Sequence, residues 1–141
     1  MDSLFERLNG FETLEKVHKL FYDKIYAHPW LKDFFTDHKQ TLLESQQTTF
    51  MASKMGGPNV YSGKTPKYAH QNMFVTDEIF NLRSVLLKQS ILELAIPKNL
   101  CNEWIELDNK FRNALVKNAL NQCVTSYTAQ QIINIQKPLN L

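Results

Sequence analysis

The sequence predicts a single all-helical domain. Apolar residues recur every three or four positions along several long segments, which is the period of a helix buried on one face. Glycine and proline are concentrated between Gly56 and Pro66 and at a few other breaks, so the segments between them can run as uninterrupted helices. A chain of 141 residues is long enough to enclose one core and a flat cofactor within it.

Two helices are predicted at the amino-terminal end of the chain. Ser3 can cap a short one, because Glu6 follows it at the spacing of a capping box. An amphipathic helix then begins near Glu12, with Tyr22 at the edge of its apolar stripe, so that Tyr22 leans toward the core. The stripe itself consists of Leu14, Val17, Phe21 and Ile25.

An aromatic-rich turn follows from Trp30 to Phe35, and Phe34 or Phe35 could cover a flat ring. A further helix is predicted from about Lys39 to Met55, and its apolar stripe includes Gln47. A buried amide without partners costs about 1–3 kcal/mol. Gln47 therefore meets a polar group in the core, faces a cavity that takes a polar ligand, or reaches solvent at the edge of the stripe.

A glycine-rich loop separates the two halves of the chain and leads to His70. Pro66 can open a short helix at its first position and so carry His70 into the interior. An imidazole placed in this way suits a metal. A single histidine beside apolar residues is more often an ordinary core or surface residue. Ligation by His70 is favoured only if residues distant in the sequence can form the opposite wall of a cofactor pocket.

Two long helices are predicted after His70. The first is capped by Thr76 and runs to about Leu94, and Arg83 on its apolar face is expected to extend its charged group to water at the helix edge. The second begins at Ile96-Pro97. Its core face is predicted to consist of Leu100, Trp104, Leu107, Phe111, Ala114 and Leu115.

The remaining composition narrows the class of protein. A net charge of +2 gives no strong attraction to nucleic acid or to a membrane surface. The chain has no apolar run of membrane-spanning length and no secretion signal at its start, so we expect a soluble cytoplasmic protein, as a monomer or a weak dimer. Cys101 and Cys123 lie within helical patterns and are interpreted as reduced packing residues.

Five short motifs together resemble the truncated haemoglobins, the small two-over-two globins, and most nearly their first group. They are Phe21-Tyr22, Phe34-Phe35, Gln46-Gln47 with Phe50, Gly56-Gly57-Pro58 and His70-Gln71. The resemblance covers about Phe11 to Pro97. It implies an all-α two-over-two helical sandwich around a haem, iron protoporphyrin IX, formed by residues 1–124. The tail, residues 125–141, contains a weakly amphipathic piece from Ala129 to Ile135, for which a short docked helix and a mobile segment are both open.

The resemblance also implies roles for individual side chains. His70 matches the proximal iron ligand, Phe35 the phenylalanine that stacks on haem, and Tyr22 and Gln47 the distal pair that hydrogen-bonds the ligand. Leu43 occupies the position where ordinary globins often carry a distal histidine. The other residues implied to contact haem or shape the ligand path are Phe50, Met51, Tyr61, Lys64, Lys67, Val75 and Phe80.

Arg83 departs from this family pattern, because its position is usually apolar and close to the pocket or its tunnel. It could narrow the tunnel, pair with Asp77 or Asp108, or reach a haem propionate. The leucine at position 43 argues against a resting state with two histidine ligands, although His38 could swing in if the neighbouring helix frays.

The function that this resemblance implies is binding of dioxygen, with nitric oxide as a second expected ligand. Two distal donors predict tight binding and slow release, which suits capture, sensing or oxidative chemistry better than delivery. Oxidation of nitric oxide to nitrate is an open enzymatic version, and it needs an external reductase. The alternative is a haem-free globin-like sensor or interaction module.

Overall fold

The computed structural model describes residues 2–141 and folds them into seven α-helices and two short 3-10 helices. The α-helices are α1 (Leu4–Arg7), α2 (Phe11–Ala27), α3 (Gln40–Lys54), α4 (Pro66–Ala69), α5 (Asp77–Glu93), α6 (Lys98–Asn109) and α7 (Arg112–Leu115). The 3-10 helices are Leu31–Phe35 and Leu120–Gln122. None of the helices in residues 2–141 is long and apolar enough to cross a membrane.

The helix starts lie where the capping residues predict them. The Ser3 hydroxyl accepts a hydrogen bond from the Glu6 amide at 3.2 Å, and the Thr76 hydroxyl accepts one from the Ile79 amide at 3.3 Å. Just after the carboxyl-terminal end of α3, Gly56 has a φ of +88°, a backbone conformation that residues with a Cβ rarely adopt. A Cβ there would also lie 2.8 Å from the Cβ of Ser3, so glycine allows α1 to pack closely on the end of α3.

The long helices form two packed pairs. Helix α2 packs against α3 and also against α5, while α6 packs on α5, which gives the two-over-two arrangement that the sequence predicts. The core between these helices contains Phe21, Phe80 and Trp104, each nearly or fully buried. Across α2 and α3, the His18 ring and the Thr48 hydroxyl form a buried hydrogen bond of 2.7 Å.

Helix α3 presents two different faces to the interior. Thr48, Met51, Ala52 and the following Met55 are fully buried in the core. Gln47 is only half-buried, on a neighbouring strip of the same helix that lines a cavity. Of the alternatives that the sequence leaves open for this amide, the structure therefore supports the cavity.

The last predicted helix is interrupted, which the sequence pattern did not indicate. Helix α6 ends at Asn109, and α7 begins at Arg112 after a tight turn. In that turn the amides of Lys110 and Phe111 bond to carbonyl groups three residues back, each at 3.1 Å, as in a 3-10 turn. The apolar spacing is the same on both sides of the turn, so periodicity alone could not locate the break.

The tail is docked on the domain and is extended. Residues 123–141 contain no helix, so the amphipathic helix considered for Ala129 to Ile135 does not form. Ile133 forms an isolated parallel bridge with Met73, and the indole of Trp30 donates a hydrogen bond of 2.9 Å to the carbonyl of Ile135. Cys101 and Cys123 are free thiols, as predicted.

Candidate functional site

A cavity of about 520 Å³ lies among α2, α3, α5 and the loop that carries α4. Its volume is within the range of roughly 300–1,000 Å³ that is usual for sites of small molecules and cofactors. All but one of the predicted site residues contribute to its wall. Those that do are Tyr22, Phe35, Leu43, Gln47, Phe50, Met51, Tyr61, Lys64, His70, Val75 and Phe80.

His70 is held in a defined orientation at the end of α4. Thr65 caps this short helix, Pro66 occupies its first turn, and the His70 ring Nδ1 lies 2.8 Å from the carbonyl oxygen of Pro66. Because a carbonyl can only accept, Nδ1 carries the proton and Nε2 keeps its lone pair. Burial lowers the pKa of His70 to about 4, which outweighs the opposing effect of the Pro66 hydrogen bond. The ring is therefore neutral at pH 7, as a metal ligand must be.

Tyr22 and Gln47 bring two polar groups to the same cavity from different helices. Tyr22 is buried, and its ring packs edge-on against Phe21 and Phe35 with centroid distances of 4.9 and 6.4 Å. Burial raises the pKa of the Tyr22 hydroxyl to about 12, so it remains a donor throughout the physiological range. Within residues 2–141 neither the Tyr22 hydroxyl nor the Gln47 amide has a hydrogen-bond partner, so both are available to a ligand in the cavity.

The cavity mouth carries aromatic and basic side chains. Lys64 is exposed and lines the mouth, where its ammonium nitrogen lies 5.1 Å from the centroid of the Tyr68 ring. The Tyr61 hydroxyl donates a hydrogen bond of 2.6 Å to the Lys64 carbonyl, which shapes this loop. Lys67 is exposed and does not line the cavity, so the structure gives no support to a contact between this lysine and a cofactor.

The prediction that Arg83 extends its charged group into water is wrong. Its two terminal nitrogens bond to the two carboxylate oxygens of Asp108 at 2.6 and 3.0 Å, and both residues line the cavity. The guanidinium also lies 5.4 Å from the ring centroids of Phe21 and Phe80. Burial acts to lower the pKa of Arg83, but the charge and hydrogen bonds of Asp108 raise it overall. Of the options left open for Arg83, pairing with Asp108 is the one that the structure contains.

Sequence reasoning missed several residues of the cavity wall. Phe21 and Ile25 were assigned to the core stripe of α2 beside Tyr22. Ile25 lies three residues after Tyr22 and four after Phe21, and this helical spacing was the signal that could have found them. Asp108 gave a weaker signal, as an acidic residue one turn beyond Trp104 on α6. Phe34, an alternative to Phe35 for covering a flat ring, and His38, considered as a second histidine ligand, also line the cavity. The remaining missed residues are Leu31, Leu42, Gln46, Gly63, Pro66, Ala69, Met73, Ile79, Phe111 and Leu115.

The chemistry of this wall fits a flat, largely apolar cofactor that contains a metal. Aromatic and aliphatic side chains form most of the wall, and one neutral imidazole with a free Nε2 can supply a single ligand bond. A buried phenol and an amide remain for a further ligand, and a lysine stands at the mouth for an anionic group. Haem, with its apolar ring, its iron and its two carboxylates, matches this set of groups.

The fold and the site together define a globin. The family model of bacterial-like globins matches residues 3–126. The chain therefore belongs to the bacterial-like globin family, and its relatives place it among the truncated haemoglobins, most like group 1.

Two relatives and two solved structures illustrate the similarity. Group 1 truncated haemoglobin GlbN of Mycolicibacterium paratuberculosis is 32% identical over 101 residues, which are 72% of this chain and 74% of the relative. The group 1 protein of Tetrahymena pyriformis is 31% identical over 101 residues, 72% of this chain and 84% of the relative. Its crystal structure in the Fe(III) form has a TM-score of 0.78 at 27% identity, covering 83% of this chain and all of that one. The 2/2 haemoglobin of Synechococcus, crystallised with covalently attached haem, has a TM-score of 0.75 at 26% identity, covering 85% and 99%.

Membership of this family establishes the cofactor and the general activity. Truncated haemoglobins bind haem, and they bind small gaseous ligands through it. The prediction of a haem-containing two-over-two globin is therefore confirmed.

Proposed function

We propose that this protein binds dioxygen at a haem iron held by His70, with Tyr22 and Gln47 as hydrogen-bond donors on the ligand side. The observation that carries the proposal is the arrangement of these three side chains around one cavity. The imidazole has a free Nε2, while the phenol and the amide have no other partner within residues 2–141. Phe35 and Phe80 contribute ring faces or edges to the same wall.

The haem iron supplies the bond to the diatomic ligand, and the protein supplies its surroundings. The His70 ring is neutral, and its Nδ1 donates a hydrogen bond to the Pro66 carbonyl. This leaves Nε2 as the ring atom that would bind the iron. Lys64 at the mouth is suited to bind a haem propionate, since it is exposed and lines the cavity. Lys67 has a weaker basis for that role, because it lies outside the wall.

The distal donors set the rate of ligand release. A hydrogen bond from a buried donor to a ligand that carries partial negative charge contributes about 1–2 kcal/mol. Since 1.4 kcal/mol corresponds to a factor of ten, each donor slows dissociation by roughly 5- to 30-fold. Slow release suits capture of a scarce ligand or its oxidative use better than bulk delivery.

Nitric oxide is the second ligand that we propose for this site, and its oxidation to nitrate is a reaction that the pocket allows. That reaction needs electrons from an external reductase. Protein saturated with dioxygen is mixed with nitric oxide while a reductant is regenerated, and nitrate is assayed. Sustained nitrate formation supports the reaction, and a single stoichiometric burst restricts the proposal to binding.

Replacement of Tyr22 by phenylalanine tests the distal assignment. The variant removes the hydroxyl and keeps the ring against Phe21 and Phe35, so we expect dioxygen to dissociate about 5- to 30-fold faster. Dissociation is followed by stopped-flow absorbance after reduction of the haem-loaded protein. The same preparation gives a Soret band, and its absence would favour the haem-free alternative.

Tyr26→Phe is the matched control for this experiment. Tyr26 lies one helical turn after Tyr22, outside the cavity wall, and its hydroxyl bonds to the His38 carbonyl at 3.1 Å. The control should release dioxygen at the parent rate. Equal rates for Tyr22→Phe and the parent would remove Tyr22 from the distal site.

A further inference from the structure

The carboxyl-terminal part of the chain follows the segment that contains His70. Val116 and Ile133 form parallel bridges with Val75 and Met73, respectively. The Lys117 amide donates to the Val75 carbonyl at 2.8 Å, and the Val124 amide donates to the Gln71 carbonyl at 2.7 Å. This pairing covers the outer side of the segment 70–75, which we call the His70 segment.

Ile133 connects the middle of the tail to the His70 segment. Its amide donates to the Asn72 carbonyl at 2.8 Å, and its carbonyl accepts from the Phe74 amide at 2.8 Å. Side chains add to this pairing, since Gln71 donates to the Ser126 hydroxyl at 2.7 Å and Asn72 to the Gln131 carbonyl at 3.2 Å. The tail is therefore hydrogen-bonded to the His70 segment at several successive positions.

Lys117 makes the contact that lies nearest to the imidazole. Its ammonium nitrogen donates to the His70 carbonyl at 2.9 Å and to the Met73 carbonyl at 2.7 Å. These two carbonyls are the ends of a tight turn, in which the Met73 amide bonds to the His70 carbonyl at 3.0 Å. Burial lowers the pKa of the Lys117 ammonium, and charge-assisted bonds to carbonyl groups offset that cost.

The other side of the His70 segment faces the cavity. His70, Met73 and Val75 all contribute to the cavity wall, and Met73 and Val75 are each only 7% exposed. The segment is therefore enclosed between the cavity and the tail. A shift of the tail would move the backbone from which the His70 ring projects.

We propose that residues 116–135 hold the His70 segment in place and that Lys117 is a positioning residue for His70. This proposal rests on the proposed role of His70 as the iron ligand. Groups that orient a metal ligand without touching the metal typically change metal affinity by 10- to 100-fold when they are replaced. Lys117 acts on His70 through its backbone carbonyl, whereas Pro66 acts through the ring.

Lys117→Met tests the proposal, because it keeps an unbranched side chain of similar length and removes the charged donor. We expect the haem-loaded variant to lose haem to an excess of a haem-scavenging globin about tenfold faster than the parent. We also expect the iron–histidine stretching band of the reduced protein, measured by resonance Raman spectroscopy, to shift or broaden. A merely structural contribution of Lys117 would lower the unfolding midpoint and leave this band unchanged.

Two further variants complete the test. Lys137→Met is the matched control, since Lys137 is also a lysine of the carboxyl-terminal part of the chain, but its ammonium group pairs with Glu78 on the surface at 2.7 Å. It should keep the parent band and rate. Ile133→Pro removes the amide that bonds to Asn72, and it should also alter the band, which keeps the test decisive if Lys117→Met does not fold.

The outcomes separate this proposal from the one on which it rests. A parent protein without an iron–histidine band would overturn the role of His70. A parent band that persists unchanged in Lys117→Met and Ile133→Pro, with equal rates of haem loss, would overturn the role of residues 116–135 and leave the role of His70 in place.

Discussion

Replacement of His70 by glycine is expected to abolish stable haem binding. The substitution removes the neutral ring that Pro66 orients, and with it the Nε2 atom that we assign to the iron. Replacement of groups that orient a metal ligand lowers the affinity for the metal by 10- to 100-fold. Loss of the ligand itself should therefore lower the affinity for haem by about a hundredfold or more. A titration of the purified variant with haem, followed at the Soret band, measures this loss.

Added imidazole makes the result specific to the ligand bond. The glycine variant leaves room for a free imidazole molecule, which should restore much of the parent spectrum at millimolar concentration if the fold is intact. His38→Ala is the control, because His38 lines the cavity mouth but is exposed. A variant at His38 that loses haem while His70→Gly retains it would reverse the assignment of the iron ligand.

Local signals in the sequence were sufficient for the positions of most helices and for part of the cavity wall. Capping by Ser3 and Thr76 locates helix starts, and helical spacing turns the stripe of α2 inward. Gln47 was informative for the same reason, since an amide on an apolar face needs a partner or a cavity. The resemblance to truncated haemoglobins then grouped residues from separate helices, which periodicity cannot do.

The features that the sequence did not predict leave no distinguishing pattern in it. The tail pairs with the His70 segment mainly through backbone groups. Because almost every residue type carries the same backbone groups, this pairing produces no recognisable sequence pattern. The turn between α6 and α7 interrupts an apolar period without glycine or proline. The partner of Arg83 is Asp108, 25 residues later, and nothing local distinguishes that acid from Asp77.

Asp77 is in fact engaged elsewhere. It pairs with Arg112 at 2.8 Å, and the Arg112 guanidinium lies 4.4 Å from the centroid of the Phe80 ring. Arg83 and Arg112 therefore both lie close to Phe80, and each has its own acid. This arrangement leaves Asp108 to Arg83 alone, in a wall that is otherwise mostly apolar.

Replacement of Arg83 by leucine is expected to destabilise the fold by about 3–5 kcal/mol. Asp108 is only 3% exposed, and the substitution would leave its carboxylate buried without a cation. Asp108→Leu should have a similar cost, because it leaves the guanidinium unpaired. The free energy of unfolding is measured from urea titrations followed by circular dichroism, on the haem-loaded protein and on the protein without haem.

The double variant distinguishes two cases. Either the ion pair itself stabilises the fold, or each charge only offsets the cost of burying the other. Replacing both residues by leucine removes the charges together, and such replacements are often close to neutral in stability. We therefore expect the double variant to be more stable than either single variant, so that the costs of the two single substitutions are far from additive in the mutant cycle. The exposed pair of Arg7 and Glu103, at 2.6 Å, is the control, and Arg7→Leu should change stability little. Single variants at Arg83 and Asp108 as stable as the parent would mean that water reaches this pair through the cavity, and that the charges are not buried in solution.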